Sequence, residues 1–241
     1  MKKANKGFTL IELLVVIGIL GLLMGVLVPQ IVDAKFKSDM SACSMQGAKL
    51  VKAIIMQNSS RGSKSELWPH LTEDDGLTPT DSEDIAGTAF STSTDYFKAL
   101  FDITKQTSSD WSPYVDREIV SCLWGFGVPP AKPGDISKNN IAWTIAAGFP
   151  QGTEGTLPVL VTRNVDTSQF AMSGDVNMAD KTTVPELNKY PQPFGKKGCV
   201  VVYLNGSGKT FPAKDARLCD IYSQQPNMSF AQGITLKYLE P

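Results

Sequence analysis

The sequence from Met1 to Val28, "MKKANKGFTLIELLVVIGILGLLMGVLV", decides the fold because it joins a short basic start to a long apolar run. The run from Phe8 to Val28 contains no lysine, arginine, aspartate or histidine. As an α-helix, these residues would extend for about 30 Å, which is enough to cross the hydrocarbon core of a bilayer. The sequence therefore predicts a membrane-spanning helix over residues 8–28.

Three lysines, Lys2, Lys3 and Lys6, precede the apolar run. Positive charges beside a membrane span stay on the cytoplasmic side. We therefore expect the N-terminus in the cytoplasm and the chain from Pro29 onward on the other side of the membrane.

This segment could also be a secretory signal peptide or a plain signal anchor, with no further function. A secretory signal peptide could be cut after Ala34, where Val32-Asp33-Ala34 loosely fits the small-x-small rule. However, an apolar signal region is typically about 7 to 15 residues long, and this run is longer and contains Glu12. A plain signal anchor fits the length but leaves Glu12 unexplained, because a carboxylate at helix-centre depth costs about 2.5 to 3.5 kcal/mol.

The stretch "KGFTLIELLVVIGILGLL" resembles the N-terminal segment of the type IV pilin and type II secretion pseudopilin family. The resemblance implies that a prepilin peptidase cleaves between Gly7 and Phe8 and methylates the new amino group of Phe8. It also implies that the carboxylate of Glu12 meets the terminal amine of a neighbouring subunit. An ion pair in low dielectric recovers much of the cost of burying either charge, so such a contact would fix the stagger between helices.

The helix should continue past the membrane to about residue 60. Apolar or small residues recur there at spacings of three and four, which indicates an amphipathic helix able to carry a globular domain. They are Val32, Phe36, Met40, Cys43, Gly47, Leu50 and Ile54. Charged side chains are left for solvent at Lys35, Lys37, Asp39, Lys49 and Lys52. The segment 58–63, "NSSRGS", should end the helix, and Pro29 is a candidate kink because proline removes a backbone donor.

Residues 63–241 should form one β-rich head, so the predicted fold class is α+β and pilin-like. A short helix is predicted over Phe97–Phe101, after the polar turn 91–95. Four apolar runs bounded by turn residues are predicted strands. They are "IVSCLWGFGV" (119–128), "IAWTIAAGF" (141–149), "LPVLVTRNV" (157–165) and "CVVVYLNGSGKTF" (199–211).

The last of these runs contains Asn205-Gly206, a strong hairpin signal, so a hairpin is predicted near 199–213. A comparable C-terminal hairpin occurs in many pseudopilin-like proteins, which is a second and looser resemblance. The segment "NGSGKT" (205–210) also suggests a phosphate-binding loop, but Tyr203 stands where that loop needs glycine, and Phe211-Pro212 follows where it needs a helix. We expect a turn without nucleotide.

Four cysteines, Cys43, Cys122, Cys199 and Cys219, lie in the part predicted to be outside the cytoplasm, where disulfides are permitted. A Cys199–Cys219 bridge would resemble the C-terminal disulfide loop of many pilins. Cys43, on the apolar stripe, is expected to be a buried thiol or a bridge to Cys122.

The composition offers few sites for chemistry. With a formal net charge of −1 the chain has no basic field for nucleic acid, and its single histidine, His70, is not part of any catalytic motif. No cofactor is expected, although some pseudopilins hold calcium in a head loop. The acidic groups 73–75 and 81–84 could do so here, but neither fits the spacing of an EF-hand.

The resemblance implies a structural subunit, and the lack of a catalytic motif in the sequence agrees with a protein that is not an enzyme. The resemblance implies partners: identical or related pilin subunits, prepilin peptidase, and an inner-membrane assembly platform with its ATPase. The subunit would sit in the inner membrane with a periplasmic head and then in a pilus or a secretion pseudopilus, and the large head favours the pseudopilus. The alternative is an anchored carbohydrate- or surface-binding protein, with Trp68, Trp111, Trp124 and Trp143 as stacking candidates, although tryptophans in such heads usually belong to the core.

Overall fold

The structure is a computed structural model of the 241-residue chain. It describes residues 9–61, 68–69, 90–104, 133–149, 155–170, 185–187, 189–222 and 237–241. The chain divides into two compact units, Met1–Asp39 and Met40–Pro241.

Helix α1, Leu10–Arg61, begins at the apolar run and ends within the polar segment predicted to stop it. In the first unit its large apolar side chains are exposed from Leu10 to Val32. One helix in the described part of the chain, Leu10–Met56, is long and apolar enough to cross a membrane. Pro29 lies inside this helix, and the predicted kink at Pro29 stays a prediction.

In the second unit, the amphipathic pattern predicted for α1 is confirmed. Met40, Cys43, Leu50 and Ile54 are each at most 2% exposed, and Gly47 is buried among them. Lys49 and Lys52 on the other side of the helix are exposed. The three- and four-residue spacing of the small and apolar side chains is therefore what fixes the helix against the head.

The head contains an antiparallel sheet with the strand order β4-β3-β2-β1-β5. Its strands are β1 (Trp143–Ala147), β2 (Pro158–Thr162), β3 (Gly198–Tyr203), β4 (Gly208–Pro212) and β5 (Lys237–Leu239). The first three strands are buried along their whole length, so both faces of the sheet are covered. This confirms the predicted α+β, pilin-like fold, with a long N-terminal helix followed by a β-rich head.

One face of the sheet packs on α1. A Cβ atom added to Gly47 would lie 2.7 Å from side-chain atoms of both Trp143 and Val202, so the helix approaches the sheet as closely as glycine permits. The hairpin strand approaches the helix just as closely at Gly208, where an added Cβ atom would collide with Oγ of Ser44. Glycines on the helix and on the hairpin thus allow direct contact between backbones.

An aromatic cluster covers the other face. Tyr238 on β5 donates to the carbonyl of Pro158 at 2.6 Å, and its ring meets Phe170 at 5.5 Å between centroids. Tyr203 on β3 donates to the carbonyl of Ile221 in the short helix α3, Leu218–Ile221. Burial raises the pKa of Tyr222 and Tyr238 well above the usual range, so these hydroxyls remain protonated hydrogen-bonding groups.

Helix α2, Ser93–Thr104, is longer than predicted and begins four residues earlier than Phe97. The polar turn before it is in fact the cap. The hydroxyl of Thr92 donates to the carboxylate of Asp95 at 2.8 Å, and the amide of Asp95 donates back to Thr92 at 3.1 Å. The hydroxyl of Ser93 then donates to the carbonyl of Trp143, which attaches α2 to β1.

The strand predictions agree with the structure where it describes them. The second and third runs form β1 and β2, and the last forms β3 and β4, joined by a turn in which Gly206 has a φ of +76°. The run 119–128 and the residues 63–67 lie outside the described residues. The end of the third run is wrong, because Arg163 and Asn164 turn out of the strand.

Those two residues organise the loops beyond β2. The guanidinium of Arg163 donates to the carbonyls of Lys138, Ile141 and Gln192, and burial lowers its pKa to about 10. The amide of Asn164 donates to the carbonyls of Gly195 and Gly198 at 2.7 and 2.9 Å. These polar side chains thus hydrogen-bond to backbone carbonyls of the neighbouring loops and of Gly198 at the start of β3.

Candidate functional site at the start of the N-terminal helix

The start of α1 is closed by a reciprocal cap between Thr9 and Glu12. The backbone amide and the hydroxyl of Thr9 donate to Oε2 of Glu12 at 2.9 and 2.8 Å. The amide of Glu12 in turn approaches Oγ1 of Thr9 at 3.3 Å. This is a capping box, and it satisfies donors that the first turn of a helix otherwise leaves without partners.

The same carboxylate is open to a second partner. Glu12 is exposed, and among the residues that the structure describes, Oε1 accepts no hydrogen bond. Its neighbours Leu10, Ile11 and Leu13 are 83%, 74% and 53% exposed, so the charge lies in an apolar surface. A carboxylate in such a surface needs compensation in lipid or in a protein core, and the cap supplies only part of it.

The other residues predicted to act at this end lie outside the described part of the chain. They are Gly7 and Phe8, the predicted cleavage and methylation positions, and the three leader lysines. Glu12 itself lies in the first turn of α1, four residues after Phe8 in the sequence. The roles of Gly7, Phe8 and Glu12 therefore stay predictions. The exposed carboxylate of Glu12 leaves room for the predicted contact with the terminal amine of a neighbouring subunit.

The Cys199–Cys219 bridge is wrong, because both residues are free thiols in the structure. Cys199 lies on β3 opposite Phe211 and is completely buried, whereas Cys219 lies in α3 and is partly exposed. Burial raises the pKa of the Cys199 thiol to about 12. Cys43 is disulfide-bonded rather than a free thiol, and Cys122, the partner predicted for it, lies outside the described residues.

The two stacking candidates that the structure describes, Trp68 and Trp143, are buried. Trp143 is fully buried against α1, and Trp68 is 6% exposed with its ring 5.5 Å from that of Phe149. Trp111, Trp124, His70 and the acidic groups 73–75 and 81–84 lie outside the described residues. No group of three or more metal-binding side chains occurs within the described ranges. The expectation that the protein needs no cofactor, with calcium in a head loop as its alternative, stays a prediction.

Thr9 is the residue of this site that sequence reasoning missed. The signal was present in "TLIE", because threonine followed three residues later by glutamate is the pattern of a capping box. This pattern stands at the start of an apolar run, where the signal for a membrane span is much stronger than the signal for a cap.

Comparison with known proteins identifies this segment. Residues 2–28 match the family model of the prokaryotic N-terminal methylation motif. That motif is the prepilin-type cleavage and methylation segment of type IV pilins and pseudopilins. The match covers the first tenth of the chain, and no curated protein and no solved structure matches the chain.

Proposed function

We propose that this protein is a structural subunit of a type IV pilin-like filament, assembled through its N-terminal helix. The prepilin-type segment implies a membrane-anchored precursor that the prepilin peptidase processes. The helix α1 would form the filament core, and the sheet with its covering loops would form the outer surface. This is a mechanical role without catalysis.

The observation that carries the proposal is the state of Glu12. Its Oε2 atom is engaged by Thr9, while the exposed carboxylate presents its other oxygen in an apolar helical surface. Cleavage after Gly7 would create a cationic amine at Phe8, four residues before Glu12 in the sequence. The amine of one subunit and the carboxylate of the next can neutralise each other when both helices leave lipid, so a correctly staggered neighbour is favoured.

The test separates the charge of Glu12 from its capping role. In Glu12→Gln the side-chain carbonyl can still accept from Thr9, but the negative charge is lost. We expect this variant to insert into membranes normally and to be incorporated into filaments at least tenfold less than the wild type, measured by shearing or crosslinking and immunoblotting; tenfold corresponds to about 1.4 kcal/mol.

Thr9→Val is the matched control. It removes the hydroxyl donor of the cap and keeps the carboxylate, so incorporation should stay within about twofold of the wild type. Normal filaments from Glu12→Gln would remove the role proposed for this charge. An intact mass that retains Met1–Gly7, or that begins after Ala34, would remove the filament function itself.

The finer features of the proposal follow the same reasoning. We place the unassembled subunit in the inner membrane with the head periplasmic, because the three leader lysines keep the N-terminus inside. Its partners would be identical or related pilin subunits, the prepilin peptidase, and an assembly platform with its ATPase. The large head with its C-terminal hairpin favours a secretion pseudopilus. Periplasmic filaments that depend on the secretion platform would support this, and surface pili would contradict it.

The alternative, an anchored carbohydrate- or surface-binding protein, has less support. Two of its four stacking candidates, Trp68 and Trp143, are buried in the head. A ligand ring cannot stack on an indole that packs within the protein core.

A further inference from the structure

Strand β5 covers one edge of the sheet with three residues. Its residues Lys237–Leu239 pair with Ile145–Ala147 of β1, and within the described part of the chain β1 is its only strand neighbour. Strand β1 is buried along its whole length, so β5 shields the backbone of β1 at this edge. A strand this short forms few ladder hydrogen bonds, and edge segments open more readily than central strands. Contacts beyond the ladder must therefore contribute to holding β5 on the sheet.

Glu240, directly after β5, makes such contacts with three other parts of the head. Nζ of Lys189 donates to its carboxylate oxygen Oε1, and the hydroxyl of Thr167 donates to the same atom at 3.3 Å. The backbone carbonyl of Glu240 accepts from the amide of Ser93 at 2.9 Å. This amide opens helix α2, where a first-turn donor has no acceptor within its own helix. One residue thus joins the end of β5 to α2 and to two loops.

Lys189 lies between two carboxylates. Its Nζ atom contacts Glu240 and lies 3.8 Å from Oδ1 of Asp166. The carboxylate of Asp166 is held in turn by the backbone amide of Ser168 at 2.9 Å. The hydrogen bond to Glu240 raises the pKa of Lys189, so this side chain remains a cation. We call the contacts of Lys189 with Asp166 and Glu240 the ionic latch.

The ionic latch is partly open to solvent. The side chains of Lys189, Asp166 and Glu240 are 34%, 32% and 30% exposed. Ion pairs with this exposure are weakened by salt and contribute little to the stability of a whole domain. The same small contribution has a larger share in holding a three-residue strand, because opening that strand alone breaks only a few ladder hydrogen bonds.

We propose that β5 is a detachable edge strand and that the ionic latch holds it closed on β1. When the latch opens, β5 leaves β1 as a unit, and the amide of Ser93 loses its acceptor. The hairpin of β3 and β4 lies at the opposite side of the sheet order and stays folded. An uncovered β1 presents unpaired backbone groups, the kind of edge on which sheets of different chains pair.

The experiment measures amide hydrogen exchange on the full chain in detergent, by mass spectrometry with electron-transfer fragmentation. In the wild type, the amides of residues 237–240 and of Ser93 should exchange faster than those of β2 and β3, because β5 opens without the rest of the sheet. Lys189→Met removes the charge and keeps an unbranched side chain. We expect it to speed exchange of the same amides by about two- to fivefold and to leave β3 and β4 unchanged.

Salt tests the latch without a substitution. The Debye length falls to about 3 Å at 1 M salt, so exchange of residues 237–240 should become faster in the wild type. In Lys189→Met the same change of salt should have little effect on these amides, because the cation of the latch is already missing.

Three further variants separate the charge from the side chain. Lys189→Arg keeps the cation and should exchange as the wild type does. Glu240→Gln leaves a carbonyl to which Thr167 can donate but removes the negative charge, so it should behave as Lys189→Met does. Lys98→Met removes an exposed lysine from α2 and should leave the exchange of β5 unchanged.

Three results would overturn the inference. The first is equal exchange of residues 237–240 in the wild type and in Lys189→Met. The second is exchange of these residues as slow as that of β3 in the wild type, since β5 would then open only with the whole sheet. The third is an equal increase in all strands of Lys189→Met, which would assign Lys189 to global stability. None of these measurements involves filament assembly, so the proposed function stands or falls separately.

Discussion

At the scale of single residues, environment separates side chains of the same type. Cys199 is enclosed between strands, Cys219 is partly open to solvent, and Cys43 is disulfide-bonded on the buried stripe of α1. A thiol reacts as its thiolate, and the pKa of Cys199 is raised to about 12 because burial disfavours that charged form. Reactivity toward an alkylating reagent therefore reports directly on these environments.

We predict that, without reductant at pH 8, maleimide modifies Cys219 in the folded protein and modifies Cys199 only after unfolding. Because the folded pKa of Cys199 is raised, its thiolate remains scarce until the pH approaches 12, and burial also blocks the reagent. Peptide mapping after labelling checks both thiols. A non-reduced peptide joining Cys199 to Cys219 would contradict the structure.

Thr9 and Glu12 illustrate the same point at the start of α1. The carboxylate is both a helix cap and a charge in an apolar surface, and only the first role is complete within one chain. The sequence alone shows that the carboxylate of Glu12 lies within the apolar run. The structure added that one of its oxygens is already occupied by Thr9.

At the scale of elements, the contact between α1 and the sheet depends on glycines, because glycine has no side chain to hold the two backbones apart. Gly47 on the helix faces Trp143 and Val202, and Gly208 on β4 faces Ser44. Helix and strand packing of this kind leaves no room for even one added methyl group.

We predict that Gly208→Ala destabilises the protein by about 1 to 3 kcal/mol, because the new Cβ atom would meet both Oγ and the backbone carbonyl of Ser44. Urea unfolding of the full chain in detergent, followed by tryptophan fluorescence, measures the effect. Gly134→Ala is the control, since a Cβ atom there has no neighbour within 4 Å. Its stability should change by less than about 0.5 kcal/mol. Equal stability of the two variants would contradict the close approach.

At the scale of the whole molecule, the second half of α1 belongs to the head. The compact unit Met40–Pro241 includes helical residues that cover one face of the sheet. Met40, Leu50, Val51 and Ile54 are nearly inaccessible, and burying four such side chains contributes roughly 6 to 12 kcal/mol. That is comparable with the whole stability of a typical domain, about 5 to 15 kcal/mol.

We predict that a chain of residues 30–241 folds without a membrane, whereas a chain of residues 62–241 does not. The first keeps every buried residue of α1, and the second removes them and exposes Trp143. Near-ultraviolet circular dichroism and limited proteolysis distinguish the two. A cooperatively folded 62–241 chain would refute the assignment of these helical residues to the head core.

Much of this architecture could be predicted because its signals are local. The apolar run, the three- and four-residue stripe of α1 and the Asn205-Gly206 turn each follow from a few neighbouring residues. The start of α2 does not follow from the sequence, because the polar residues that cap a helix are also those that form turns. Thr92, which caps α2, lies in the segment predicted to be a turn. The Cys199–Cys219 bridge came from resemblance, and the strand geometry of this head does not make it.

The prepilin-type segment, the long helix and the β-rich head follow from the sequence, since periodicity and order along the chain encode them. The roles of Arg163 and Asn164 in holding loops together, and the burial of Trp68 and Trp143 in the core, follow only from the folded arrangement. These depend on strand pairing and burial between residues far apart in the chain. Spacing along the sequence does not record such contacts.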